Sequence, residues 1–198
     1  MKKKQTPTKL KDLTLGKYIL FDELAKQHDE STDPNKDYIL LEKWFGQDFT
    51  EMPADVADAF IDEWVKDMTD TTTINVAENE KPPKTIKIAG DTFEVPQNLE
   101  HDCTVAQYVD YSKYQQSYQG SSYGFYAVAL AIFLKKRGQG YKEVKLNDRI
   151  ELMKSVNLID AVKITAFFFV QSQRYRDITN LFLARSQAEI TKQTPRQN

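Results

Sequence analysis

The sequence predicts a mainly α-helical protein, α+β with one small β-hairpin, in which two related helical halves pack like a helical bundle. Three observations lead to this fold class. The stretch "DLTLGKYILF", which begins at Asp12, recurs in outline as "DCTVAQYVDY", which begins at Asp102. Apolar residues recur at helical spacing along "EMPADVADAFIDEWVKDM" and along a segment from about Leu158 to about Ile190. Between these regions, "TIKIAGDTFEV" alternates apolar and polar residues around a short Gly-containing turn, as a β-hairpin does.

The repeated stretch is interpreted as a helix-start motif. Thr14 and Thr104 lie where an N-cap belongs, because their hydroxyls can accept a hydrogen bond from an amide of the first turn. The residue before each threonine and the residue at the fourth helical position have the spacing of a hydrophobic staple. Gln107 completes a capping box with Thr104, whereas Lys17 cannot do so with Thr14. The residues of the two motifs are Leu13, Thr14, Tyr18, Cys103, Thr104, Gln107 and Tyr108.

The chain divides into five predicted segments. The Thr-rich, Pro-punctuated stretch "TDTTTINVAENEKPPK" is typical of a linker and separates the two helical halves. Because a lone hairpin is only marginally stable in water, we expect the hairpin to pack on the helices that follow it. The segments are a basic flexible N-terminus at 1–11, an N-terminal helical half at 12–68, a linker at 69–84, the hairpin plus C-terminal helical half at 85–190, and a disordered tail at 191–198.

Composition narrows the class of protein. Of the 198 residues, 40% are hydrophobic and 28% are charged, which favours a globular chain over a membrane protein. The strongest apolar run, "ITAFFFV", is far shorter than the roughly 20 residues that a bilayer span needs. The N-terminus "MKKKQTPTKLKD" has no apolar stretch after its lysines, and a single cysteine suits a reducing compartment. We therefore expect a soluble, intracellularly made protein that does not contact a membrane.

The charge is distributed unevenly along the chain. Residues 1–80 carry 10 Lys against 18 Asp and Glu, a net of −8, whereas residues 81–198 carry 17 Lys and Arg against 11 Asp and Glu, a net of +6. Such an asymmetry is a clue to partners. The two halves could dock on each other, copies could associate head to tail, or the basic half could bind nucleic acid.

One short stretch contains residue types used in nucleophilic catalysis. His101, Asp102 and Cys103 are consecutive, but a catalytic Cys and His normally come from distant parts of the sequence and meet in space. The staple interpretation already accounts for Cys103. The other histidine, His28, lies in a polar stretch, so Cys and His cannot assemble a metal cluster.

Two further patterns are weak as sites. Asp55, Asp58 and Asp62 could form a carboxylate metal site, but they lie opposite an apolar stripe and are better interpreted as a solvated helix face. The stretch "KKRGQGYK", which begins at Lys135, lacks the Gly-Lys-Ser/Thr ending of a P-loop. Its basic residues before Gly138 are typical of a helix C-terminus. The sequence therefore predicts no enzyme activity, no cofactor and no metal.

Aromatic residues are concentrated in two regions of the C-terminal half. One is the tyrosine-rich stretch "YVDYSKYQQSYQGSSYGFYAV", and the other is the helix around "AFFFV", which is apolar on nearly every side. Tyrosine is enriched at protein–protein interfaces, although some of these rings must belong to the core. Arginines in the later turns of the helix would suit an acidic partner. The predicted interface residues are Tyr111, Tyr114, Tyr118, Phe167, Phe168, Phe169, Arg174 and Arg176.

The tyrosine-rich stretch also admits a nucleic-acid interpretation. Aromatic rings interleaved with basic residues can stack on single-stranded nucleic acid. Here only Lys113 accompanies the tyrosines, so the electrostatic part of that mechanism is weak. Nucleic-acid binding by the basic C-terminal half remains the alternative function.

The hairpin and the second helix-start motif resemble a known pattern. The stretch "IKIAGDTFEVPQNLEHDCTVAQYVDYSKY" is similar to small proteins from the structural gene clusters of tailed bacteriophages, crAss-like phages included. In those proteins a hairpin leads to an acidic turn, a "T-[LV]-x-x-[YF]-[IV]-D" helix start, an Ala- and Leu-rich helix and a Phe-dense helix. The similarity covers about 85–170, with an echo at 12–24. The matching motif residues are Thr104, Val105, Tyr108, Val109 and Asp110.

This resemblance implies a non-enzymatic phage assembly protein, because the shared pattern carries no catalytic residues. Such a protein would be a virion structural component or a tail assembly chaperone. Its partners would be other phage structural proteins or further copies of itself. The resemblance implies that it would be found in the host cell cytoplasm during assembly or in the virion.

Overall fold

The computed structural model describes residues 9–174 except 47, 50, 70 and 71. Over these residues the chain is mainly helical and has one small antiparallel sheet, which confirms the predicted fold class. The strands are β1 (Thr85–Ile88), β2 (Asp91–Glu94) and β3 (Lys135–Lys136). The helices are α1 (Leu15–Glu30), α2 (Lys36–Phe45), α3 (Ala54–Thr69), α4 (Thr72–Glu78), α5 (Leu99–Asp102), α6 (Val105–Ser117), α7 (Ser122–Phe133), α8 (Leu146–Met153) and α9, which occupies residues 158–174.

Both helix-start motifs form the N-caps that the sequence predicts. The Thr14 hydroxyl accepts a hydrogen bond from the Lys17 amide at 3.3 Å. Thr104 and Gln107 form the predicted capping box, in which the Gln107 carbonyl oxygen accepts from the Thr104 amide at 2.9 Å. An N-cap of this kind contributes about 1 kcal/mol to the stability of its helix. Gln107 does more, because its side-chain amide donates to the Ile132 carbonyl of α7 at 2.6 Å.

The two halves share one hydrophobic core. The first amides of α1 are bonded to the turn between α8 and α9, since Leu15 N–H donates to the Val156 carbonyl at 2.7 Å and Gly16 N–H donates to the Lys154 carbonyl at 2.8 Å. These bonds satisfy amides that have no partner inside the helix. A Cβ on Gly16 would lie 3.0 Å from the Lys154 Cβ, so the close approach needs glycine there. The predicted division at 12–68 and 85–190 therefore does not mark two separate folding units.

Part of the predicted linker belongs to the core. Within 69–84, α4 buries Ile74 and Ala77, which are three residues apart and lie on one face of the helix. The Thr and Pro content of this stretch led to the linker prediction, although a short apolar stripe is present. The predicted N-terminal segment 1–11 is likewise too long, because Leu10 is buried at the start of a 3₁₀ turn.

The central helix is α7. Every residue of 127–134 is buried, and α7 packs against α1, α6 and α8. A helix that is apolar on all sides must be surrounded in this way. At its C-terminal end the buried Arg149 guanidinium donates to the Leu134 and Tyr141 carbonyls and lies over the Tyr141 ring.

The hairpin has the predicted position, and its turn consists of Ala89 and Gly90, with φ values of 49° and 89°. Two residues with positive φ match the right-handed twist of the strands they join. The third strand, β3, corrects the prediction that Lys135 and its neighbours end a helix. α7 stops at Phe133, and the chain then pairs with β2, placing Lys135 beside Glu94.

Aromatic packing fills the N-terminal part of the core. The Phe21 ring meets the Trp44 and Trp64 rings edge to face, with centroids 5.7 and 5.5 Å apart. The buried stripe of α3 includes Ala57, Trp64 and Met68. The acids predicted to form its solvated face are exposed; they are Asp55, Asp58 and Asp62.

Candidate protein-binding groove

Two of the predicted interface residues are core residues. Tyr111 is 3% exposed and Phe168 is 0% exposed. Both rings pack on Phe133 of the central helix, with centroids 5.0 Å away for Tyr111 and 5.1 Å away for Phe168. They lie on the faces of α6 and α9 that meet α7, so the interface prediction is wrong for these two residues.

The other predicted interface residues divide by position. Tyr114 and Phe167 are half-buried and pack against the edge of the core. Arg174 is exposed in the last described turn of α9. Arg176 and the tail at 191–198 lie outside the described residues. Tyr118 and Phe169 remain, and the structure brings them to the same surface depression.

This depression, called the aromatic groove below, lies where α6 ends, α7 begins and α9 passes. Its volume is about 480 Å³. The other lining residues were not among the predicted interface residues, although Phe125 and Tyr126 fall within the tyrosine-rich stretch. The groove is lined by Gln115, Tyr118, Gly120, Ser121, Ser122, Phe125, Tyr126 and Phe169.

Local sequence shapes the groove floor. Tyr118 is the C-cap of α6, and its amide donates to the Tyr114 carbonyl at 2.8 Å. Ser121 is the N-cap of α7, and its hydroxyl accepts from the Gly124 amide at 3.1 Å. The Tyr118 ring folds over the short loop between these caps. A Cβ at Gly124 would collide with the Tyr118 hydroxyl, so this ring position requires glycine.

Three aromatic contacts hold the walls together. The Phe125 and Phe169 rings are stacked, with centroids 6.0 Å apart and an interplanar angle of 17°. Tyr126 meets Phe169 edge to face at 5.5 Å, and Tyr118 packs on Phe125 at 5.6 Å. These rings are all half-buried, so each one offers a face or an edge to solvent while its other side is fixed.

The groove is apolar but offers hydrogen-bonding groups. Its lining contains no charged side chain, and its polar groups are tyrosine and serine hydroxyls and one glutamine amide. Burial, together with the electrostatic effect of the nearby Tyr123, raises the pKa of Tyr126 to about 12. Burial likewise raises the pKa of Tyr118. Both phenols are therefore neutral at physiological pH and can donate a hydrogen bond. Fixed aromatic rings with a few polar groups are typical of surfaces that bind apolar side chains of another protein.

Cys103 lacks the features of a nucleophile. Burial raises the pKa of its thiol to about 11, although the nearby Lys135 acts in the opposite direction. A thiol with such a pKa is almost wholly protonated at neutral pH, whereas the thiolate is the reactive form. The Asp102 carboxylate accepts hydrogen bonds from the Gln97 and Asn98 amides instead of orienting a base.

The described part of the chain also lacks the other chemistry considered from the sequence. Within it, no group of three or more His, Cys, Asp and Glu side chains could hold a metal ion. None of its helices combines the length and the apolar character needed to cross a bilayer. The aromatic groove has no cation in its lining, so it lacks the charge that accompanies base stacking in nucleic-acid sites.

Comparison of the chain with known proteins identifies no relative. Neither the protein-family models nor the curated proteins nor the solved structures contain a match to this chain.

Proposed function

We propose that this chain is a non-enzymatic assembly protein that binds another protein through the aromatic groove. The observation that carries the proposal is the set of half-buried rings around Phe169, held by ring contacts and helix caps before any partner arrives. Preorganised aromatic side chains bind with little loss of conformational entropy. Buried aromatic anchors also contribute a large share of the energy in protein interfaces.

The chemistry of the groove defines the class of partner. Since the lining is uncharged, the partner segment should present apolar or aromatic side chains and a few polar groups, and charge should contribute little to its affinity. The exposed Ser122 hydroxyl is placed to bond with backbone groups of such a segment. Binding should therefore change little with salt concentration.

The phage setting of the proposal comes from the sequence resemblance alone. On that basis the partner is another phage structural protein, and the chain acts as a virion structural component or a tail assembly chaperone in the host cell cytoplasm. This phage assignment is tested by co-expressing the chain with each protein encoded in the same gene cluster and measuring whether the two co-elute.

The groove itself is tested with a blocking variant. Ser122 is exposed in the first turn of α7, so Ser122→Trp should fill the groove without disturbing the Ser121 cap. Ser112→Trp, on the exposed side of α6, is the matched control. The chain is used to select from a displayed library of random peptides, and a labelled selected peptide is then titrated by fluorescence anisotropy.

We expect the selected peptides to share aromatic or branched apolar residues. Ser122→Trp should weaken their binding by about tenfold or more, which corresponds to about 1.4 kcal/mol, while Ser112→Trp leaves it unchanged. Equal binding to both variants would place the contact elsewhere. Failure to select any peptide would remove the main support for the proposal.

A further inference from the structure

The solvent face of the sheet is a basic surface separate from the aromatic groove. Alternate residues of the strands point to opposite sides, so Ile86, Ile88 and Phe93 are buried while the opposite face is polar. A shallow depression of about 380 Å³ runs over this face next to the turn after β2. The basic residues on or beside this face, called the basic sheet face below, are Lys84, Lys87, Lys135 and Arg137.

Part of this positive charge is not neutralised within the chain. Arg137 forms an ion pair with Glu94 at 3.0 Å, which uses the acid of β2 on this face. Among the described residues, no ion pair involves Lys84, Lys87 or Lys135. Asp102 also lines the depression and Glu94 lies opposite Lys135 on the neighbouring strand, so the basic sheet face keeps a smaller excess of positive charge for a partner, to which Lys84 and Lys87 contribute most.

The acidic counterpart of this surface lies on α3. Asp55, Asp58 and Asp62 share one face of the helix and are exposed, and the Tyr38 hydroxyl donates to Asp58 at 3.1 Å. One cation, Lys66, follows in the last turn of this acidic helix face. The face is flanked by Val56 and Val65, which are 40% and 37% exposed.

The two surfaces match in spacing as well as in sign. Asp55 and Asp62 are seven residues apart, which is about 10.5 Å along a helix. The outer strands β1 and β3 are separated by two strand spacings, or about 10 Å. Acids at both ends of the α3 face can therefore reach cations on both outer strands, Lys87 on one side and Lys135 on the other.

We infer that the basic sheet face of one copy receives the acidic face of α3 from a second copy. Both surfaces are exposed in a single chain. Each copy can therefore bind one neighbour through its basic sheet face and a second neighbour through its α3 face. Such a head-to-tail contact produces a ring if the rotation closes and a filament if it does not. Contact occurs through the face and not by strand addition, because Lys87 on the edge strand β1 discourages a further strand.

This inference does not depend on the aromatic groove. It accounts for the net charges of −8 and +6 on the two parts of the sequence, since the acidic and basic surfaces come from different parts. Ser122→Trp should leave self-association unchanged, so the two proposals can fail separately.

Charge reversal of each surface tests the contact. Lys84→Glu/Lys87→Glu alters the sheet side, and Asp55→Lys/Asp62→Lys alters the helix side while keeping the Asp58 bond to Tyr38. Lys113→Glu/Lys142→Glu makes the same change of net charge as the sheet-side variant at two exposed sites elsewhere and is its control. Circular dichroism and thermal melts establish that every variant is folded.

Solution mass is then measured by light scattering over a range of concentrations. At about 0.01 M salt the unaltered chain should exceed the monomer mass, and at about 1 M salt it should approach it, because the Debye length falls from about 30 Å to about 3 Å. Each surface variant should be monomeric at low salt, while the control should still assemble. Mixing the two surface variants should restore assembly at low salt, because the unaltered α3 face of one variant still meets the unaltered basic sheet face of the other, and the two reversed faces are also opposite in charge.

Several outcomes would overturn the inference. A monomer at low salt and high concentration would do so, as would assembly by the surface variants equal to that of the unaltered chain. If the unaltered chain is monomeric but binds a labelled single-stranded RNA, and Lys84→Glu/Lys87→Glu abolishes that binding, the basic sheet face recognises phosphate instead.

Discussion

Replacing Phe168 with Ala should destabilise the protein by about 4 kcal/mol. The ring is fully buried and packs on Phe133 with centroids 5.1 Å apart. Removing about 150 Å² of buried apolar surface at 25 cal/mol per Å² accounts for nearly all of this loss, and the lost aromatic pair adds to it. Because a domain of this kind is stable by roughly 5–15 kcal/mol, the variant should remain folded at low temperature but unfold at much lower urea concentration.

The measurement is equilibrium urea unfolding followed by circular dichroism. Val170→Ala is the matched control, because Val170 lies on the same helix and is 53% exposed. It should change the free energy of unfolding by less than about 0.5 kcal/mol. A cost below about 1 kcal/mol for Phe168→Ala, together with loss of self-association, would show that Phe168 contacts a partner and that its assignment to the core is wrong.

Three further predictions concern local features. Gln107→Ala should cost about 2–3 kcal/mol in urea unfolding, since it removes the capping box and leaves the buried Ile132 carbonyl without its donor; the exposed Gln116→Ala should cost under about 0.5 kcal/mol, and equal costs would contradict the reasoning. Ala89→Asn should raise the free energy of unfolding by about 0.5–1 kcal/mol, because Asn tolerates positive φ better than Ala; a decrease would argue against the turn geometry. Burial raises the pKa of Cys103 to about 11 from its ordinary value near 9, so the folded state holds this proton more tightly than the unfolded chain does. Its contribution is full below pH 9 and is lost as the pH rises towards 11, and urea titrations at stepped pH should show a shallower decline for Cys103→Ala; an unchanged decline would assign the effect to other groups.

Several features could be predicted from the sequence because they depend only on residues that are close together in the chain. The N-cap at Thr14 and the capping box of Thr104 with Gln107 involve residues no more than three positions apart, so their pattern is complete within one short stretch. The hairpin is similar, because its two strands pair across a turn of two residues. The amphipathic spacing of α3 likewise predicted that Trp64 faces the core.

Features that depend on contacts between distant parts of the chain could not be predicted in this way. The strand β3 exists only because α7 ends beside β2, and Lys135 and Lys136 themselves resemble the last turn of a helix. The buried role of Ile74 in α4 is comparable, because the single apolar stripe of a short helix becomes significant only when a core lies against it.

The sequence by itself determined the helical class, the hairpin, the helix starts and the presence of many aromatic rings in the C-terminal half. Tertiary structure alone decided which of those rings face the core and which face solvent. Phe168 and Phe169 are adjacent in the chain, yet one packs on Phe133 inside and the other forms a wall of the groove. Successive helical residues are about 100° apart around the axis, so their burial depends on where the neighbouring helices lie.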